Sequence, residues 1–196
     1  MSKKFKPPNP GKRIVKFIQT GPYAIRLRLE DDLHRRTYGA SRRKHSEITP
    51  QLHVGGQHRR KGYKRLLKRG ITAIVNMREE KYSDEKKGIG GERHLHLPTI
   101  DHTPPSIEDL MRGVDFIRRE IEQYDGKVYI HCRAGCGRAP SMAAAYLIST
   151  GMSRKEALKF IKKARPFISL NKIQKRVLDD FAAAWADRLN QGSCQS

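Results

Sequence analysis

The sequence predicts an α/β protein, a single domain with a central, largely parallel sheet of four to five strands flanked by helices. Three observations carry this expectation. Short apolar runs, QLHVGG, TAIVNM, HLHLPT and KVYIH, alternate with longer stretches of helical periodicity. Several of those stretches open with their own caps, as in Ser106 with Asp109 and Ser153 with Glu156. The length of 196 residues suits one core with a terminal extension better than two cores.

The elements follow in order. Three Pro and three Lys in the first ten residues predict no regular structure there. KRIVKFIQ sets Ile14, Phe17 and Ile18 at helical spacing opposite Lys12, Arg13 and Lys16, a short basic amphipathic segment expected to stop at Gly21 and Pro22. YAIRLRLEDDLHRR reads equally as period two, through Ile25, Leu27 and Leu29, or as a helix reaching Leu33. From Ile48 strands are expected at 51–56, 72–77, 94–99 and 127–131, with a basic helix up to Gly70 between the first two, the loop KYSDEKKGIGGE between the second and third, and a helix at 106–124 before the fourth. The last helix, capped by Asn171 and Gln174, is expected to run through Trp185. The resulting division is a basic, partly flexible extension at 1–45, a domain at 46–190 and a tail at 191–196.

The net charge is +21, with 20 Lys and Arg against four acidic residues in 1–70 and 21 against 16 in the remainder. A basic end of this kind attracts nucleic acid, anionic membrane surfaces or phosphorylated substrates, and it serves equally as a solvated tail. Cys132, Cys136 and Cys194 make an odd count without a CxxC pair, which argues against a disulfide framework and for a reducing compartment. The opening lacks a signal-peptide pattern and no apolar run reaches the ~18 residues of a membrane span. A cytoplasmic protein is expected, free or peripheral at a membrane.

Residues 131–141, HCRAGCGRAPS, lie between strand KVYIH and a helix beginning near Arg138. In open α/β sheets ligands sit beyond the carboxyl ends of the strands, where a helix N-terminus offers unpaired N–H groups and partial positive charge. Ala134, Gly135 and Gly137 keep bulk away, so successive N–H groups can ring one oxyanion. A cysteine at the base of such a loop is favoured as thiolate, which makes Cys132 a nucleophile facing phosphorus. Arg138 presents a planar fork matched to two phosphate oxygens and keeps its charge throughout. Arg133, Ala134, Gly135, Cys136, Gly137 and Arg138 are the candidate phosphate-binding set. The alternative is a buried core thiol and a helix-capping arginine that share this spacing by coincidence.

The run HCRAGCGR, a histidine followed by C-x-x-x-x-x-R with small residues inside, resembles the active-site loop of the cysteine-based protein tyrosine phosphatase superfamily, in particular the compact dual-specificity phosphatases. The resemblance covers about residues 48–190. It implies a metal-free, cofactor-free reaction through a cysteinyl-phosphate. It also implies a general acid on a separate loop, a role that falls to Asp101 in LPTIDHTPPS, about thirty residues upstream of the cysteine. Asp109 is the runner-up, although its place in a helix cap already explains it. His131 takes a supporting role in ordering the loop. Asn171 and Gln174, in ARPFISLNKIQKRVLDDF, are candidates to buttress it and are explained almost as well as caps. His94, His96 and His102 lack a partner carboxylate or thiolate in the pattern and do not suggest a metal.

The sequence departs from the family at Ala139, where most relatives carry a hydroxyl residue that assists departure of the thiolate. That departure predicts a slower second step and keeps a non-catalytic phosphate-binding adaptor in view. The Gly-Arg-Ala-Pro run also resembles active plant glucan phosphatases. Cys136, inside the loop, is a candidate to form a protective disulfide with Cys132. Together VDFIRREIEQ, HCRAG, MAAAYLI and RPFISL look most like the mitochondrial-type phosphatidylglycerophosphate phosphatase branch. The expected substrate is therefore an anionic lipid such as phosphatidylglycerophosphate or a phosphoinositide, met at an anionic membrane surface through the basic N-terminal third. A phosphotyrosine/phosphothreonine protein phosphatase is the alternative with identical chemistry. Low aromatic content and the lack of a sugar-binding domain count against a glucan substrate, and the lack of an aromatic platform counts against RNA.

Overall fold

The structure is a computed structural model that describes the backbone of residues 10–193 and the side chains of residues 21–191. Of the irregular structure expected over the first ten residues, 1–9 lie outside what is described, as do the apolar and basic faces expected at 12–18 and Cys194, while Pro10 already opens the first helix. Strands β1 (Leu52–Gly56), β2 (Ala73–Asn76), β3 (Arg93–His96) and β4 (Val128–Cys132) form one wholly parallel sheet in the order β1-β4-β2-β3. β4 and β2 occupy its centre. Helices α1 (Pro10–Tyr38), α2 (Arg60–Lys68), α3 (Ile107–Arg118), α4 (Arg138–Ser149), α5 (Arg154–Ala164) and α6 (Lys172–Ser193) surround it.

The alternation of strand side chains sorts the core into two layers. Leu52, Val54, Ala73, Val75, Val128 and Ile130 pack with α3 to α6, while Ile74 and Tyr129 pack on the opposite face with Leu66 of α2 and Ala40. Burying both faces is what lets parallel strands read as continuous apolar runs. Ser106 caps α3 through Asp109 N–H at 3.0 Å, and Ser153 and Glu156 form a reciprocal capping box on α5.

Two expectations for the N-terminal third resolve differently. α1 does not stop at Gly21 and Pro22 but continues through them to Tyr38. A proline removes only one N–H from the helical ladder, and the segment beyond it is anchored by burial of Leu27 and Asp31, one turn apart. The same anchoring settles YAIRLRLEDDLHRR as helix and splits its period-two set, with Leu27 inside and Ile25 and Leu29 exposed. α6 likewise continues past Trp185 to Ser193.

Candidate active site

The loop 132–138 crosses from the carboxyl end of β4, a central strand, to the N-terminus of α4. Its conformation is set by where its carbonyls point. Arg133 O accepts from Gln57 N–H and Arg35 Nη1, both at 3.1 Å; Ala134 O accepts from Arg165 Nη2 at 2.9 Å; Gly135 O accepts from Arg165 Nε at 2.6 Å; and Cys136 O accepts from Ser169 N–H at 2.8 Å. In a trans peptide the N–H points opposite to the preceding carbonyl. Four consecutive carbonyls held outward therefore turn the N–H groups of Ala134, Gly135, Cys136 and Gly137 inward, which makes an anion nest. The Gly135 N–H reaches Cys132 Sγ at 3.2 Å.

Gly135 can only be glycine. Its φ is +69°, and a Cβ there would lie 2.4 Å from the Gly55 backbone and 2.6 Å from Arg165 Nη2. The close approach fixes the loop against β1.

Cys132 is buried at 3% exposure and opens into a cleft of about 1120 Å³. Arg138 lies beside it, also 3% exposed, with Nη1 donating to Thr99 O and Nη2 pairing with Asp101 Oδ1, both at 2.7 Å. The structure thus brings Cys132, Arg138 and Asp101 to one cleft, and Asp101 is the most exposed of the three. Asp109 instead lies in the first turn of α3, paired with Arg112. The Asp101 loop carries a strained residue, His102 at φ +64°, whose N–H donates to Asp101 Oδ1. Asn171 Nδ2 holds it by donating to His102 O at 2.7 Å, and Gln174 Nε2 does so by donating to Thr103 O at 3.0 Å. The same two residues cap α6 reciprocally. Asn171 and Gln174 therefore tie the Asp101 loop to α6, and Gln174 also abuts Gly137. Ala139 is fully buried in the main core. Cys136 packs with Leu27 and Phe167, and burial pushes its thiol above the ordinary cysteine range.

Three supporting residues escaped the sequence reading. Arg165 is fully buried; besides the two loop carbonyls it donates to His45 O and pairs with Asp31 Oδ2 at 3.2 Å. Asp31, on α1, is itself 1% exposed and also accepts from Ser41 Oγ and Arg42 N–H. Behind Cys132, His131 Nε2 lies 2.5 Å from Asp84 Oδ2, with both side chains buried. Burial acts to raise the Asp84 carboxyl, yet the hydrogen bond and charge of His131 outweigh it and hold that group at about 2.

His58, Asp84 and His131 bring ligand-type atoms within 4.8 Å of one another. The cluster is hydrogen-bonded within itself and to the chain, through His131 to Asp84 and through His58 Nε2 to Ile89 O at 2.8 Å. Burial, then the neighbouring His131, pushes His58 down to about 4 from its ordinary 6.5. Between those values the unfolded chain binds a proton that the folded chain refuses. This contribution to stability is present above pH 6.5 and is lost as pH falls to 4, on the order of 3 kcal/mol. Asp84 acts in a separate window, its contribution being lost only below pH 3.8. Thermal melts of wild type are expected to fall between pH 6.5 and 4, and those of His58→Asn to be flatter; parallel curves would remove His58 as the cause.

Comparison with known proteins agrees with this geometry. Residues 52–183 match the family "dual specificity phosphatase, catalytic domain". The chain is 33% identical over 177 residues to phosphatidylglycerophosphatase and protein-tyrosine phosphatase 1 of Mus musculus, covering 85% of this chain and 88% of that one. It is 35% identical over 125 residues to the protein of that name from Rattus norvegicus, covering 59% and 64%. The crystal structure of PTPMT1 in complex with PI(5)P superposes with a TM-score of 0.66 at 30% identity, covering 72% of this chain and 96% of that one. With a thiol beneath a nest of N–H groups, a flanking guanidinium and a match across two-thirds of its length, the chain belongs to the dual specificity phosphatase family of cysteine phosphatases.

Proposed function

We propose that the chain removes a phosphomonoester from an anionic glycerolipid headgroup, of the phosphatidylglycerophosphate or phosphoinositide kind, at a membrane surface. The observation that carries this reading is the charge of the cleft. Ten Lys and Arg line it against two carboxylates, Asp32 and Asp101, and three of the cations, Arg28, Arg35 and Arg36, come from α1. The neighbouring stripe of α1 exposes Ile25, Leu29 and Leu33, each more than 60% accessible and one turn apart. A basic cleft beside an exposed apolar stripe matches an anionic bilayer, where each Lys or Arg near the surface adds about 1 kcal/mol. No helix among the described residues is long and apolar enough to cross a membrane.

In the proposed reaction the Cys132 thiolate attacks phosphorus, the S–P bond forms as the O–P bond breaks, and Asp101 protonates the departing oxygen. The inward N–H groups and Arg138 hold the equatorial oxygens; phosphate binding by Arg138 would take the fork that now engages Asp101 and free that acid. Asp101 then accepts a proton from water, which attacks phosphorus and releases thiolate and inorganic phosphate. His131, held by Asp84, supports the loop from below.

The test is kcat/KM for phosphatidylglycerophosphate and a phosphatidylinositol monophosphate in vesicles against phosphotyrosyl and phosphothreonyl peptides at matched concentration. The lipids are expected to be the better substrates. A preference for peptides refutes the lipid reading and favours the protein phosphatase.

A further inference from the structure

Arg78 takes no part in the chemistry above, yet it lines the same cleft as Cys132. It follows the carboxyl end of β2, its N–H donating to Asn76 Oδ1 at 2.9 Å. Its guanidinium carbon sits 3.5 Å from the centre of the Tyr82 ring, and Nη1 donates to Gln57 Oε1 at 3.1 Å. Gln57 in turn donates to Asp84 Oδ1 at 2.9 Å, the carboxylate that holds His131. The guanidinium is thus fixed by a stacked ring and a hydrogen bond, with no carboxylate in ion-pair contact among the described residues. Burial, then the like charges of Arg138 and Arg133, pushes Arg78 below the ordinary arginine range, and an arginine keeps its charge regardless. Arg133 is exposed and also lacks an ion-pair partner there. Like charges gathered in a cleft and held in place repel one another until an anion sits among them. The loop nest and Arg138 account for one phosphoryl group, and Arg78 and Arg133 remain for another.

We propose that Arg78, with Arg133, forms a second anion subsite beside the phosphate loop, taking a second phosphoryl group that the substrate carries within one small polyol of the scissile phosphomonoester. The proposal deepens the reading above by specifying the headgroup. Phosphatidylglycerophosphate and the phosphoinositides both present a phosphodiester at that remove, and a soluble polyol bisphosphate presents the same chemistry without a bilayer.

The experiment compares kcat/KM for glycerol monophosphate, glycerol bisphosphate and phosphatidylglycerophosphate in mixed micelles, using the full chain. Wild type is expected to prefer the bisphosphate by about tenfold or more, the scale of one charge-assisted contact. Arg78→Gln is expected to erase that preference mainly through KM, Arg78→Lys to keep part of it, and Tyr82→Leu, which removes the stacked ring, to fall between. Arg133→Gln, at an exposed position, gives the same readout without a risk to folding. A wild type with no preference for the bisphosphate, or a preference that survives both Arg78→Gln and Arg133→Gln, overturns the subsite. If the soluble preference depends on Arg78 while micellar lipid is hydrolysed no faster than glycerol monophosphate, the subsite stands and the lipid reading falls. If lipid is hydrolysed equally well by wild type and Arg78→Gln, the subsite falls and the lipid reading stands.

Discussion

Replacing Cys132 by serine is expected to lower kcat/KM for every phosphomonoester by ~10⁴-fold or more, because a serine hydroxyl is almost wholly protonated at neutral pH and no base stands ready to activate it. The loss should be nearly independent of the leaving group, since it reflects the attacking atom. Asp101→Asn should behave differently. Its cost should be about 10²-fold or more for an alkyl phosphate, whose alkoxide cannot depart unprotonated, and far smaller for an activated aryl phosphate. The two profiles, one flat and one steep, separate the roles that Cys132 and Asp101 are given in the cleft. A flat profile for Asp101→Asn would remove it from proton transfer and leave it as the partner that positions Arg138. Turnover that survives Cys132→Ser would sink the covalent route itself.

The parts of this protein that were legible in its sequence are those fixed by local rules. The four strands stood out as apolar runs because both faces of the sheet are covered, and the capping box of Ser153 and Glu156 is complete within four residues. The loop 132–138 stood out for the same reason: the Cys132 thiol, the glycines and the Arg138 guanidinium lie within seven consecutive residues, and a nest of N–H groups needs small residues in between. What the sequence concealed is long-range. Asp84 meets His131 across 47 positions, and Asp31 meets Arg165 across 134; nothing near an acidic residue in a charged segment reveals that it is buried. The N-terminal third shows the limit most clearly. Gly21 and Pro22 are a sound local stop signal, and the helix overrides it because Leu27 and Asp31 bury against the domain. Its basic charge was legible, while its place on the wall of the cleft was not.

That placement gives α1 a second connection to the loop 132–138, through Arg165. Substituting Arg165→Met removes one of the two arginines that pair with Asp31, leaving Arg35 Nε at 3.5 Å, and strips donors from His45 O, Ala134 O and Gly135 O. Losing one arm of a buried ion-pair network costs up to about 3–5 kcal/mol, so a fall in Tm is expected. Stability alone does not separate a structural role from a positioning one, because any buried ion pair behaves this way. Arg165→Met combined with Asp31→Leu makes the separation. Replacing both partners by apolar groups removes the buried carboxylate that Arg165 no longer balances, with Asp32 still paired to Arg35, and should restore much of the lost stability. The double variant still leaves Ala134 and Gly135 carbonyls without their donor, so the peptide planes that aim the neighbouring N–H groups at phosphate are no longer held. A kcat about tenfold below wild type is therefore expected to persist in the double variant after most of the Tm has returned, since misaimed donors weaken stabilisation of the developing charge. Recovery of kcat in step with Tm would show that Arg165 serves the fold alone; a lasting deficit would make it the residue through which α1 sets the geometry of the phosphate loop.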